Sequence, residues 1–394
     1  MTVPIVDRIP VIDADTHVSE PEDLWTSRVA AKHGDSIPHT AYSERRGGRM
    51  WIVGGKPLVD VGTFAMAGWP EYMPSHPPTL EDADPAAWDP RARLQRMDER
   101  GIRTQVVYPN LIGFFVGAFM ALGEEGLLLE CVQAYNDFLA EWASVDPERL
   151  VPVMMLPYWD IDQCVREMDR CMPLGHRGIV AAGRLDGFGH PAMRDQHWDP
   201  LWAAAQERGL PVNFHVGFNP DLGQLNGPRG AFSAPSFVEE SAQSFIANTR
   251  TLAEAICSGM LHRFPELKIV SVESGIGWVS FFLEALDWQW ENCGLVHEFP
   301  DRLLPSEYFE RQAYVTYWFE RRDLAHHALR FQDNLMFSTD FPHPTSQSPG
   351  PASIGVNPRD YVEETLADVP EPVVRKLLHD NAARLYGLPS PFVT

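Results

Sequence analysis

Ile12-Asp13-Ala14-Asp15-Thr16-His17-Val18-Ser19-Glu20-Pro21 runs from an apolar lead-in to two aspartates and a histidine. Read as a first β-strand, it places Asp15 and His17 at i and i+2, and the two-residue side-chain period of a strand turns both to one side. A carboxylate and an imidazole together, where a strand meets its following loop, make half of a metal site. The same residues also suit an ordinary polar strand end, so the rest of the chain has to decide.

Beyond this stretch, residues 21 to about 90 are rich in Pro, Gly, Trp and Ser. Within them Gly48-Arg49-Met50-Trp51-Ile52-Val53-Gly54-Gly55-Lys56-Pro57-Leu58-Val59 reads as a hairpin turning at Gly-Gly. The segment is expected to be a capping insertion within a single domain covering 1–394. From Asp89 the pattern becomes regular. Arg91 to Arg100 reads as a charged helix closed by Gly101, and Thr104 to Pro109 as a second strand. Further strands are expected at Leu150–Pro157, Gly178–Ala182, Pro211–Val216, Leu267–Glu273, Tyr314–Trp318 and Asn334–Ser338. Helices are expected between them at Leu127–Ser144, Asp160–Met172, Trp198–Arg208, Ser241–Arg263, Gly277–Asn292 and Asp323–Phe331. Eight strands separated by helices long enough for parallel crossovers predict an α/β fold, the (β/α)8 TIM barrel, with an open doubly wound sheet as the alternative.

Composition narrows the class. With 394 residues, 44% hydrophobic and 22% charged, the chain can bury a full core and is not disordered. A formal charge of −22 repels phosphate backbones and anionic lipid, which argues against nucleic-acid and membrane partners. Cys131, Cys164, Cys171, Cys257 and Cys293 contain no CxxC pair and read as thiols of a reducing compartment. No basic, apolar leader opens the chain and no apolar run reaches about 18 residues. A cytoplasmic location is expected.

In such a barrel the C-terminal ends of the strands carry the active site. Asp15 and His17 follow the first strand, His215 ends the fifth, Glu273 ends the sixth, and Asp340 with His343 follows the eighth. Imidazole and carboxylate donors on one rim suit a divalent cation such as zinc, manganese or iron. Each residue taken singly also has a structural reading, His215 as a core histidine and Glu273 as a rim salt bridge.

These residues resemble the amidohydrolase superfamily, in the branch of aminocarboxymuconate semialdehyde decarboxylase and related decarboxylases and lactonases. The resemblance covers nearly the whole chain. It is carried by Asp13 to Pro21, by Gly209-Leu210-Pro211-Val212-Asn213-Phe214-His215-Val216-Gly217, and by Arg263-Phe264-Pro265-Glu266-Leu267-Lys268-Ile269-Val270 followed by Glu273-Ser274-Gly275-Ile276-Gly277-Trp278. Phe337-Ser338-Thr339-Asp340-Phe341-Pro342-His343 and Asn381-Ala382-Ala383-Arg384-Leu385-Tyr386-Gly387-Leu388 complete it. The resemblance implies that Asp15, His17, His215 and Asp340 hold one divalent metal ion, with zinc favoured and manganese or iron as alternatives. Its fourth strand, Val180-Ala181-Ala182-Gly183-Arg184, offers no lysine for a second metal. At the sixth strand, where the decarboxylases have a histidine, this chain has Glu273.

The expected chemistry follows from a cation that acidifies bound water or polarises a carbonyl. Asp340 is expected to be ligand and proton shuttle, and Glu273 to orient water or act as a second base. His343 is expected to hydrogen-bond Asp340 from outside the ligand set, with Asp13 also behind the ligands. Arg184 is a candidate clamp for a substrate carboxylate, its alternative being a pair with Asp186. Trp318 and Tyr108 are candidate walls for a planar substrate. Because an added carboxylate suits water activation and repels a substrate carboxylate, Glu273 favours a hydrolase cleaving a C–N or C–O bond, amide or lactone, of a small cyclic or aromatic compound. The alternative is nonoxidative decarboxylation of an aromatic or unsaturated acid. A homo-oligomer, dimer or larger, is expected from the acidic surface and the insertion.

Overall fold

The structure is a computed structural model that describes residues 3–44, 47–218 and 234–392. Strand β1 (Val11–His17) is followed by a small antiparallel sheet of β2 (His39–Ser43), β3 (Gly48–Val53) and β4 (Lys56–Asp60). The later strands are β5 (Ile102–Tyr108), β6 (Leu150–Pro152), β7 (Met154–Met155), β8 (Ile179–Ala181), β9 (Val212–His215), β10 (Ile269–Val272), β11 (Ala313–Tyr317) and β12 (Leu335–Phe337). Parallel pairing runs β1-β5-β6 and then β7-β8-β9-β10-β11-β12. β6 and β7 are two pieces of the one strand expected at Leu150–Pro157. They are split at Val153, whose amide donates to the Val107 carbonyl at 3.0 Å while the Met154 amide turns to Gly178 at 2.9 Å.

The circuit closes just beyond β12. The Asp340 amide donates to the Asp15 carbonyl at 3.0 Å and the His17 amide to the Phe341 carbonyl at 2.7 Å, and Thr16 pairs with Phe341 in parallel. Eight strand positions joined in a ring make the TIM barrel, and the open sheet is set aside.

Side-chain alternation explains the core. In β8 to β12, Ile179, Ala181, Val212, Phe214, Ile269, Val315, Tyr317, Leu335 and Phe337 face outward to the helices in one cluster. Their neighbours Val180, Val270, Val272 and Met336 belong to a second cluster, shared with residues of β1 and β5 and of the segments that follow them, so successive side chains part to opposite faces as the period of two requires. Asn213 and His215 occupy the inward phase of β9, so a polar rim is built on an apolar strand. The helices obey ordinary end signals. Asp89 caps Pro90–Arg100 by accepting from the Ala92 amide at 2.7 Å, and Gly101 stops it at φ 73°. The long helix expected over Ser241–Arg263 is instead Ala234–Cys257 followed by Met260–Arg263, because Gly259 adopts φ 82° between them. The Gly54-Gly55 hairpin forms as β3 and β4, with both glycines at positive φ as a tight hairpin turn demands. β2, partly exposed and without an apolar run, has no signal in the sequence. Among the described residues no helix is long and apolar enough to cross a membrane.

Candidate metal centre

Asp13, Asp15 and His17 share the inward face of β1, and all three are fully buried. His215 comes to meet them from β9. Its Nδ1 donates to the Val216 carbonyl at 2.7 Å, which leaves the Nε2 lone pair facing inward. That nitrogen lies 3.1 Å from His17 Nε2 and 3.4 Å from Asp15 Oδ1, while His17 Nε2 lies 3.5 Å from Asp15 Oδ1 and 3.8 Å from Asp340 Oδ1. Donor atoms of Asp15, His17 and His215 therefore form one close group, and those of His17, Asp340 and His343 a second.

Glu273 and Asp340 stand one and three residues past their strands, and they are the non-glycine residues with positive φ, 54° and 58°, among those described. Such backbone is held only where the surroundings enforce it. The Glu273 amide donates to Thr316 Oγ1 at 2.9 Å, and Thr345 Oγ1 donates to Asp340 Oδ2 at 2.7 Å, leaving Asp340 Oδ1 turned to the histidines. Glu273 Oε2 lies 3.7 Å from His215 Nδ1.

The electrostatics are those of donors without a countercharge. Burial, and then Asp340 and Asp15, hold the Glu273 carboxyl well above the ordinary carboxylate range. Burial also raises Asp15 and pushes Asp340 up to about 7. It lowers His17 well below its usual value, with the neighbouring histidines adding to it, and takes His343 down to about 3. Both Asp15 carboxylate oxygens and Asp340 Oδ1 lack any hydrogen-bond partner in a fully buried setting. Orphaned carboxylate oxygens beside imidazole nitrogens are the donor set of a divalent cation, so the residues fit such an ion.

Behind these groups lies a brace, of which the sequence points to Asp13 and His343 but not to Arg93, Gln105 or Asn110. Asp13 accepts from the Thr339 amide at 2.8 Å, its hydroxyl at 2.6 Å, and Gln105 Nε2 at 3.0 Å, and burial pushes its carboxyl up to about 7. Arg93, buried although its helix reads as a charged surface, donates to the His17 carbonyl at 2.6 Å and to Gln105 Oε1 at 3.1 Å. His343 places Nδ1 2.8 Å from Asp340 Oδ1, while its Nε2 meets Asn110 Oδ1 at 3.1 Å. His343 thus stands between Asp340 and Asn110 at the centre.

The residues proposed from sequence for substrate contact are engaged otherwise. Arg184 forks onto Asp186 at 3.0 and 3.3 Å. Trp318 is buried, and its Nε1 donates to the Thr345 carbonyl at 2.9 Å, steadying the loop that holds Asp340. Tyr108 lies beneath the histidines, its hydroxyl 3.0 Å from Asn213 Oδ1 and 2.8 Å from Tyr386. The aromatic cover comes instead from Phe114, at ring distances of 5.5, 5.2 and 5.3 Å from His17, His215 and His343. Phe64 of the insertion segment adds to it, 5.4 Å from Phe114, and Phe218 stacks on His215 at 4.8 Å. In sequence these phenylalanines look like any other core residues.

This cover depends on Gly113, where a Cβ would sit 1.9 Å from Phe218 Cζ. Gly113→Ala should displace Phe218 from His215 and destabilise the fold by about 1–3 kcal/mol, the range for overpacking. Denaturant unfolding reads this directly, and an unshifted midpoint would mean that Phe218 is free to move aside.

Residues 12–388 match the family described as amidohydrolase. The chain is 27% identical to a gamma-resorcylate decarboxylase of Polaromonas sp. (strain JS666 / ATCC BAA-500) over 64% of this chain and 76% of that protein. It is 23% identical to a 2-amino-3-carboxymuconate-6-semialdehyde decarboxylase of Dictyostelium discoideum, over 78% and 79%. Among solved structures, an amidohydrolase from Mycobacterium avium subsp. paratuberculosis K-10 superposes with a TM-score of 0.71 at 22% identity, over 96% and 99%. A dihydroxybenzoic acid decarboxylase from Polaromonas sp. JS666, with bound manganese and the inhibitor 2-nitroresorcinol, superposes at 0.59 and 19% identity, over 96% and 97%. The decarboxylases overturn the hydrolytic reading, which rested on Glu273 as a fixed negative charge that excludes a substrate carboxylate. Burial beside Asp340 and Asp15 removes that premise, since it favours the protonated acid.

Proposed function

The chain belongs to the amidohydrolase family, and from that membership we propose that it is a metal-dependent nonoxidative decarboxylase of an aromatic or unsaturated carboxylic acid. The observation that carries the proposal is a buried cluster of histidine and carboxylate donors lying directly under phenylalanine rings. Asp15, His17, His215 and Asp340 would hold one divalent ion. Their nitrogen and oxygen donors accept zinc or manganese, and the manganese of the solved decarboxylase favours manganese over zinc. When bound, the ion supplies an electrophile that orients substrate oxygens and spreads developing charge.

The chain's own residues do the rest. Phe114, Phe64 and Phe218 give a planar ring an apolar wall and exclude water from a carboxylate that must leave as neutral carbon dioxide. The C–C bond to the carboxyl breaks, its electron pair stays on the ring carbon, and a proton forms the new C–H bond there. Asp340, buried at the centre with its carboxyl pushed up to about 7, is the residue placed to deliver that proton. Glu273, whose carboxyl is raised by burial and by the neighbouring Asp340 and Asp15, faces the same centre with Oε2 3.7 Å from His215 Nδ1. Arg184 would have to leave Asp186 to clamp a carboxylate. Residues 1–394 as one barrel domain capped by 21–90, a cytoplasmic location and a homo-oligomeric assembly belong to the same proposal.

Carbon dioxide release from a panel of hydroxybenzoates tests it, with manganese or zinc restored and the reaction run in deuterium oxide. The expected result is release from at least one acid with one deuterium on the carbon that lost it. Failure on every aromatic and unsaturated acid by the metal-loaded protein would overturn the reading.

A further inference from the structure

We infer that His343 is itself a ligand of the metal centre, through Nδ1, and that Glu20 and Asn110 commit its ring to that task. The inference rests on the metal reading above and adds a donor to it. It starts from the hydrogen-bond directions around Asn110, which leave the imidazole one way to stand. The Asn110 amide donates to the Tyr135 hydroxyl at 2.8 Å, and that hydroxyl donates to Glu20 Oε1 at 2.9 Å. The Leu111 amide donates to the same oxygen at 2.5 Å. Glu20 Oε2 remains to accept from Asn110 Nδ2 at 3.3 Å. The side-chain amide therefore presents Oδ1, an acceptor only, to His343 Nε2 at 3.1 Å, and Nε2 must carry the proton.

In the neutral ring Nδ1 then holds a lone pair, and Nδ1 lies 2.8 Å from Asp340 Oδ1 without the alignment of a hydrogen bond. The oxygen has no hydrogen-bond partner of its own. Two lone pairs this close need a cation or a proton between them, and the spacing is that of neighbouring donors on one small ion. His17, whose Nε2 lies 3.8 Å from Asp340 Oδ1, belongs to the same group of donor atoms.

One centre, rather than two, follows from His17. It belongs both to the group of Asp15 and His215 and to the group of Asp340 and His343. An imidazole nitrogen has a single lone pair, so His17 Nε2 serves one ion. Five donors from three strand ends, β1, β9 and β12, therefore converge on a single ion. Glu20 and Asn110 act through His343 and are positioning residues.

Cobalt(II) added to the full-length chain supplies the probe. Visible absorption reads the ligand field, and competition with a chelator reads retention, for the natural protein, His343→Ala and Asn110→Ala, each checked for folding by its unfolding midpoint. His343→Ala should shift the cobalt bands and weaken retention by more than about 100-fold, since a donor is removed. Asn110→Ala keeps the ring but frees its tautomer, and should weaken retention by about 10–100-fold, as loss of an outer hydrogen bond does. Bands and retention identical to the natural protein in His343→Ala would show a proton between His343 and Asp340, and overturn the inference alone. Should His343→Ala not fold, unchanged retention in Asn110→Ala overturns it equally. A natural protein that takes up no cobalt overturns the metal reading with it.

Discussion

His215→Ala should remove the metal and, with it, carbon dioxide release. Its Nδ1 is occupied by the Val216 carbonyl, so Nε2 serves only the centre, where it faces Asp15 Oδ1 at 3.4 Å and His17 Nε2 at 3.1 Å. No described side chain stands ready to replace it. Several kcal/mol of charge stabilisation depend on a bound cation, and each 1.4 kcal/mol is a factor of ten, so the rate should fall on the order of 10⁴-fold. Elemental analysis should find about one ion per chain in the natural protein and almost none in the variant. His17→Ala should behave alike. Chelation of the natural protein should also lower its unfolding temperature, because the two Asp15 oxygens have no other partner. Full metal occupancy in the double variant would refute the assignment.

Asp340→Asn should leave the substrate bound but unconverted. Asparagine tolerates the left-handed backbone that residue 340 adopts at φ 58°, and its side-chain carbonyl can still accept from Thr345. The backbone therefore survives, but an amide whose carbonyl accepts from Thr345 turns its Nδ2 to the centre, so metal content is measured beside the rate and rates are compared per bound ion. A positioned proton donor contributes about 10²–10⁴-fold. kcat should fall by that factor while KM changes little, and deuterium incorporation at the ring carbon should become rate-limiting. A fall in KM-governed binding with kcat intact would move the proton transfer to another group, with Glu273 the first to examine.

Some of this could be read without coordinates. The barrel follows from alternating strands and helices, and a rim of Asp15, His17, His215 and Asp340 follows from where those residues sit at strand ends. What stayed hidden had physical reasons. Phe114 and Phe218 are indistinguishable in sequence from core residues, because an apolar wall over a site and an apolar wall in a core have the same composition. Arg93 lies on a helix that reads as charged surface, yet its guanidinium is buried against the His17 carbonyl. Glu273 is legible as a residue, but the upward shift that burial and the neighbouring acids impose on its carboxyl is not, because it depends on the fold. Tyr108 reads as a candidate wall because it ends a strand; its ring lies 5.4 Å from that of His215 while its hydroxyl meets Asn213 and Tyr386, a partnership no spacing in the sequence announces.

The hydrogen bonds that join β1 to the segment after β12 run between Asp340 and Asp15 and between His17 and Phe341. The seam of the barrel is thus stitched by the backbone of the very residues that supply its donors. Anything that loosens the site also unfastens the cylinder, and anything that lets the cylinder breathe spreads the donors apart. For protein engineering this fixes where the chain can be cut. A circular permutant opened near residue 16 or 341 would sever closure and chemistry at one stroke, whereas new ends placed in the β2 to β4 sheet would leave both joined. It also means that variation at this rim is tied to folding, so substitutions here have to satisfy two demands at once.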